Sequence, residues 1–257
     1  MTWVDPLHAC RAPSSPQEGC ARSYSSRLNG LAASSRNAVS ARLSGRWGTE
    51  PPLKSYYFVR HGQTEWNRMR RMQGRSDSSL TALGRRQADA CGRLVASLGD
   101  VRAIYASPLG RAKETAQIIR RYLDVDVVLD ERLAECDLGD WTGELIDEVR
   151  YKWPQEWAAF EADRFNYRGP RRENYPDLIV RASSFLDEML SKPGGDALIV
   201  SHGVIGRVML GTLMGLADER MLEISLPNDV VYRVCVPSAN EPGSRSLHRY
   251  DASVGDE

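Results

Sequence analysis

Arg60-His61-Gly62 follows directly on the apolar run Tyr56-Tyr57-Phe58-Val59, and Leu198-Ile199-Val200-Ser201 runs into His202-Gly203. An imidazole just after an extended apolar run stands at the C-terminal end of a buried strand, where open α/β sheets bind ligands. The glycine beside it lets the backbone turn sharply and approach a ligand closely. Two such His-Gly pairs imply two imidazoles converging on one site. Another short apolar run, Ala103-Ile104-Tyr105-Ala106, leads into Ser107-Pro108-Leu109-Gly110-Arg111. If these strands are neighbours in a parallel sheet, Arg60, His61, Arg111 and His202 gather at one edge. Two guanidiniums make bidentate contacts to a phosphate dianion, and one imidazole donates a further bond. The other imidazole can attack phosphorus in line, because a neutral His held at one ring nitrogen is a competent nucleophile. Arg111 lies at a helix start, where the dipole disfavours a cation, and this points to an anion bound beside it.

The elements that position these residues follow from hydrophobic periodicity. Residues 55–60, 103–106, 125–129, 196–201 and 230–236 are predicted strands. Thr81 caps a predicted helix running to Leu98, with Leu83, Ala90, Leu94 and Leu98 on its apolar side and Gly99 ending it. Further helices are predicted over 109–122, 176–190 and 203–214, with a helical stretch over 144–162 broken near Pro154. Alternating strands and helices predict an α/β fold, a three-layer sandwich with a mainly parallel central sheet flanked by helices.

Composition narrows the function classes. A chain of 257 residues fits one domain plus an extension. Residues 1–52 are Arg/Ser-rich, with only Asp5, Glu18 and Glu50 acidic, and too little apolar surface to offset ordering entropy. They are expected to be a disordered N-terminal extension, followed by a catalytic domain over 53–257. The 34 basic and 34 acidic residues cancel, so no global field draws nucleic acid. No apolar stretch approaches the roughly 18 residues of a membrane span. The five cysteines (Cys10, Cys20, Cys91, Cys136, Cys235) are odd in number and lack CxxC spacing, which argues against a disulfide framework or zinc site. A reducing, cytoplasmic location is the expectation, with an organelle as the alternative if residues 1–52 are a transit peptide. Homodimer formation is left open.

Phe58-Val59-Arg60-His61-Gly62-Gln63-Thr64 resembles the signature of the histidine phosphatase superfamily, which includes the phosphoglycerate mutases. The resemblance continues through Trp66-Asn67, Gln73-Gly74, Asp77, Leu80-Thr81, Gly84 and Gln87-Ala88. It resumes at Ser107-Pro108-Leu109-Gly110-Arg111-Ala112, at Leu133-Ala134-Glu135, at Trp141-Thr142-Gly143 and at Val200-Ser201-His202-Gly203. The resemblance implies that His61 accepts the phosphoryl group, that Arg60 and Arg111 clamp it, and that His202 contacts it. It implies that Glu135 is the proton donor, a necessary task because an alkoxide is a poor leaving group. Asn67, Gln73 and Gly74 fall at positions near the bound group, and backbone amides around Gly62 and Gly203 are expected to assist. No metal or cofactor is expected, since the cations supply the electrostatic stabilisation.

The family runs two reactions through one phosphohistidine, transfer to water or return to a bound intermediate. The stretch from Glu135 to His202 is too short for the insertion of the cofactor-dependent mutases, and Met72-Gln73-Gly74-Arg75 follows the phosphatase branches. A phosphomonoester hydrolase acting on a small phosphorylated metabolite is therefore expected. A bisphosphoglycerate-dependent mutase is the alternative, and a non-catalytic phosphoryl-binding protein is a third class. Tyr167-Arg168-Gly169-Pro170 and Glu173-Asn174-Tyr175-Pro176 are similar in spacing to the fructose-2,6-bisphosphatase domain, which makes Arg168, or Arg171, a candidate contact to a second anionic group. Arg172 stands where that pattern usually has a glycine.

Overall fold

The computed structural model describes residues 54–192, 194–237 and 245–254. The expected N-terminal extension, with Cys10 and Cys20, lies outside the described residues. The elements in chain order are β1 (Lys54–Arg60), α1 (Glu65–Met69), α2 (Ala82–Leu98), β2 (Val101–Ala106), α3 (Gly110–Arg120), β3 (Val127–Leu129), α4 (Ile146–Lys152), α5 (Pro154–Ala162), α6 (Tyr175–Ser191), β4 (Asp196–Ser201), α7 (Gly203–Met214), α8 (Asp218–Leu222), β5 (Val230–Val236) and β6 (Ser246–Asp251). The six strands form one sheet in the order β3-β2-β4-β1-β5-β6. β3, β2, β4 and β1 run parallel, and β5 and β6 add an antiparallel edge.

The central strands are buried on both faces, so their apolar runs are nearly continuous. Side chains alternate across the sheet. Tyr56, Phe58, Ala197 and Ile199 pack with Leu178, Phe185, Val208 and Met209 from α6 and α7. Tyr57, Val59, Leu198 and Val200 pack with Cys91, Val95, Ala116 and Ile119 from α2 and α3. Each such large side chain contributes roughly 1.5–3 kcal/mol through burial. This is the expected three-layer sandwich.

Thr81 caps α2 by accepting from the Gly84 amide at 2.9 Å. Pro154 sits in the first turn of α5, where its missing N–H costs nothing, so the expected break separates α4 from α5. Three elements carry no periodic signal: α1 and α8 are one turn each, and β6 is largely exposed and polar. No described helix is long and apolar enough to cross a membrane.

Parallel register sets the site. Arg60 pairs with Ser201 and Ala106 with Val200, so β1, β4 and β2 end at one level. The next amides continue the ladder: His61 donates to Ser201 O at 2.9 Å and Ser107 to Val200 O at 3.0 Å.

Candidate active site

His61 leaves the end of β1 with 2% of its surface exposed. Its Nε2 accepts from Arg111 Nε at 3.2 Å. A guanidinium has no acceptor to offer, so Nε2 carries no proton. The proton is on Nδ1, which donates to Gly62 O at 2.8 Å. Burial holds the ring's pKa well below the ordinary imidazole value, and the neighbouring charges of Arg111 and Arg60 push it the same way. The result is a neutral imidazole with a bare nitrogen facing a cation. Asn228 fixes the backbone beneath it, donating Nδ2 to His61 O at 2.6 Å.

Arg111, in the first turn of α3, is clamped from several sides. It donates to Gly74 O at 2.8 Å, to Ser76 O at 2.7 Å and to Asp77 Oδ1 at 3.2 Å. The positive φ of Gly74, 52°, turns its carbonyl into this role. Arg60 donates to Leu226 O at 3.1 Å and lies 7% exposed. Both guanidiniums border a cavity of about 70 Å³, together with His61, Glu135 and Gly203. Asn67, Gln73 and Gly74 complete that wall. Asn67 is held there by α1: Thr64 Oγ1 accepts from its amide and its Oδ1 accepts from Thr64 N, both at 3.1 Å. Gln73 Oε1 is buried without a protein partner.

Glu135 reaches the cavity from the loop after the turn Glu131–Leu133. Three backbone amides donate to its carboxylate: Cys136 at 2.9 Å, and Val204 and Ile205 in the first turn of α7 at 3.1 Å each. The loop is braced by Arg181, which donates to Arg132 O at 2.8 Å, Ala134 O at 2.7 Å and Glu135 O at 3.2 Å. His202 packs against His61 with ring centroids 5.1 Å apart. It is fully buried, and burial holds its pKa well below the usual value, with Arg111 acting in the same direction. Its Nε2 lies 2.7 Å from Ser107 Oγ, and its Nδ1 has no protein partner.

Arg60, His61, Asn67, Gln73, Gly74, Arg111, Glu135 and Gly203 are thus brought together on one wall, with His202 packed against His61 but not itself among the wall residues. Three residues expected to assist binding lie elsewhere. The Gly62 amide is engaged by Thr115 Oγ1 at 3.1 Å, and Gly62 is absent from the cavity wall. Its need for glycine comes from α2, since a Cβ there would stand 2.1 Å from Gly84 O. Arg168 is exposed and pairs with Asp177 at 3.1 Å, and Arg171 pairs with Asp140. Arg172, next to the left-handed Arg171 (φ 54°), is the one of the three on the wall of a neighbouring cavity.

Sequence reasoning missed several contributors. Asp77 and Ser107 lay within the matched motifs without an assigned role. Asn228 and Arg181 lie in no motif, and Arg71, also on the cavity wall, donates to Gly143 O. A second cavity, of about 330 Å³, adjoins the first across Cys136, Leu138 and Val204. Phe160, Tyr167, Arg172 and Tyr175 line it. Cys136 is packing rather than chemistry: burial pushes its thiol pKa up.

The family model for the histidine phosphatase superfamily (branch 1) matches residues 56–242. A protein of Erwinia tasmaniensis named probable phosphoglycerate mutase GpmB is 37% identical over 179 residues, covering 69% of this chain and 83% of its own. Among solved structures, a mycobacterial glucosyl-3-phosphoglycerate phosphatase is 25% identical with a TM-score of 0.68, over 79% of this chain and all of its own. A putative alpha-ribazole-5'-P phosphatase of Escherichia coli shares the fold, with a TM-score of 0.71 at 20% identity, over 80% of this chain and 100% of its own. Taken with the strand-end His and Arg geometry, these matches place the chain in the histidine phosphatase superfamily, branch 1.

Proposed function

We propose that this chain is a phosphomonoester hydrolase that works through a phosphohistidine on His61. The observation that carries the reading is the pair of bonds at His61: Nδ1–H to Gly62 O and a bare Nε2 facing Arg111. The phosphoryl group of a small metabolite enters between Arg60 and Arg111. Nε2 attacks phosphorus as the P–O bond to the alcohol breaks, and Glu135, acting as general acid, gives a proton to the leaving oxygen. Water then attacks the phosphohistidine, Glu135 takes a proton from it, and inorganic phosphate and free His61 result. The two guanidiniums stabilise charge on the transferring group. His202 Nδ1, lacking a protein partner, is a further donor when Ser107 donates to Nε2.

The test is hydrolysis of para-nitrophenyl phosphate by the full chain, with and without chelator. Turnover insensitive to chelator and lost in His61→Ala is expected; turnover retained in that variant sinks the mechanism. The mutase name carried by relatives at 37% identity favours a second reading, in which the phosphoryl group returns to a bound phosphoglycerate. Phosphorus NMR of 3-phosphoglycerate with a trace of 2,3-bisphosphoglycerate separates the two. Rapid 2-phosphoglycerate without matching free phosphate would overturn the hydrolase reading.

A further inference from the structure

Arg172 is a half-buried cation with no counter-ion among the described residues. Its Cζ lies 4.4 Å from the ring centroid of Trp141, 4.6 Å from Phe160 and 5.6 Å from Tyr167. Its Nε and Nη1 are buried without a hydrogen-bond partner, so Nη2 is left to the cavity that the residue lines. Three aromatic faces offset part of the desolvation. They accept no conventional hydrogen bond, so the two buried donors stay unpaired at a cost to the fold.

The carboxylates on the same cavity wall are engaged elsewhere. Glu173 pairs with Arg181 at 3.0 Å and Arg75 at 3.3 Å. Glu223 pairs with Arg220 at 3.0 Å. Arg207, also on the wall, donates to Ile224 O at 2.7 Å and Tyr175 Oη at 2.8 Å. The position of Arg172 is built, not incidental. Its backbone bridges to Leu138, which belongs to both cavities. Gly139 gives this loop room, since a Cβ there would stand 2.5 Å from Pro170 O.

We propose that Arg172 recognises a carboxylate on the alcohol part of the substrate, held in the aromatic cavity while the phosphoryl group sits at His61. The inference rests on the hydrolase reading for its leaving group. A carboxylate fits better than a second phosphate. Of the other arginines on this wall, Arg207 is tied to Ile224 O and Tyr175 Oη and Arg164 stacks on Phe160 at 5.7 Å, so the one nitrogen that Arg172 presents matches one charge, whereas the phosphate pocket brings two arginines to its dianion. A carboxylate is also the less costly anion to desolvate among Phe160, Tyr167 and Tyr175.

Matched monophosphates test this. 3-Phosphoglycerate against glycerol 3-phosphate probes a short reach, and 6-phosphogluconate against sorbitol 6-phosphate a long one. Sorbitol 1,6-bisphosphate offers a second phosphate instead. For at least one pair, wild-type kcat/KM should favour the acid by about tenfold or more. Arg172→Met should bring that ratio close to unity, and Arg172→Lys should keep part of it. Ratios near unity in the wild type, an unchanged ratio in Arg172→Met, or preference for the bisphosphate would each overturn the proposal. The same pairs titrated calorimetrically into His61→Ala, with and without Arg172→Met, read recognition apart from turnover. Loss of acid preference with Arg172→Met there supports the proposal even if the wild type hydrolyses nothing, an outcome that defeats only the hydrolase reading. Hydrolysis without acid preference defeats only the role of Arg172.

Discussion

The two cavities meet at Cys136, Leu138 and Val204, yet they hold their cations by opposite means. In the phosphate pocket Arg111 is tied to two carbonyls, a carboxylate and an imidazole. In the adjoining cavity Arg172 is held by three aromatic faces and no side-chain hydrogen bond. A guanidinium fixed by carbonyls points in one direction and is preorganised for a charge placed there. A guanidinium in a ring cage keeps its charge while one donor, Nη2, stays open to a ligand. The first arrangement suits chemistry common to all phosphomonoesters. The second suits discrimination among their alcohol parts.

The sharpest way to break this contrast is to remove the nucleophile. His61→Ala should lower kcat on any phosphomonoester by about 10⁴-fold or more, with an unchanged circular dichroism spectrum. A smaller loss means that another group accepts the phosphoryl. Arg111→Lys comes next, at an expected 10²–10³-fold in kcat, because a point charge cannot reproduce the fork that meets Gly74 O, Ser76 O and His61. The loss should be similar for acid and neutral substrates. Unequal losses would mean that the two cavities do not divide the labour between chemistry and selection.

A third expectation uses pH. His61 and His202 both have pKa values held well below 6.5, chiefly by burial. The unfolded chain takes up protons near pH 6.5 while the native rings stay neutral. The stability these rings contribute is therefore present above pH 6.5 and declines as pH falls, until the folded pKa values are reached. The slope has a ceiling of about 1.4 kcal/mol per pH unit per ring. Urea unfolding at pH 6.5 and 5.5 should show a shallower decline in His61→Gln than in wild type. Equal slopes would mean that His61 titrates normally in the native state.

Much of the phosphate pocket was legible because its residues are adjacent to strand ends. Arg60 and His61 leave β1 together, and His202 and Gly203 leave β4. Parallel register then brings them to one level whatever else the chain does. The remaining parts were hidden for definite reasons. Gly74 and Ser76 hold Arg111 through backbone carbonyls, which any residue could supply in the right turn. Asn228 reaches His61 from the loop before β5, across a long separation in the chain. Arg168, Arg171 and Arg172 are chemically equivalent in the sequence. Arg172 lines the aromatic cavity while Arg168 and Arg171 pair with carboxylates outside it, in a loop whose left-handed turn at Arg171 and close approach at Gly139 have no periodic signature. β6 was hidden because its polar residues mark an exposed edge and no core face.

The backbone under His61 offers a subtler test. A Cβ at Gly84 would stand 2.0 Å from Gln63 O, too close for side-chain adjustment to relieve. Gly84→Ala should displace the segment after His61 and cost about 1–3 kcal/mol in urea unfolding. Activity should fall for acid and neutral substrates alike, because the shift is confined to the phosphate pocket. A stable and fully active variant would show that the close packing of Gly62 on α2 is not what aims His61.

The smallest effect is expected at Asn228. Its Nδ2 donates to His61 O at 2.6 Å from a side chain that is 7% exposed. Asn228→Ala leaves a buried carbonyl without this donor, a loss of about 1–2 kcal/mol in stability. The carbonyl is on the backbone and touches no substrate, so KM should hold while kcat falls by less than about tenfold, the equivalent of 1.4 kcal/mol in the barrier. Asn228 is then a positioning residue, acting through the angle at which Nε2 meets phosphorus. A rise in KM with kcat unchanged would place it in substrate binding instead. It would also extend the phosphate pocket toward β5, away from the aromatic cavity that Arg172 occupies.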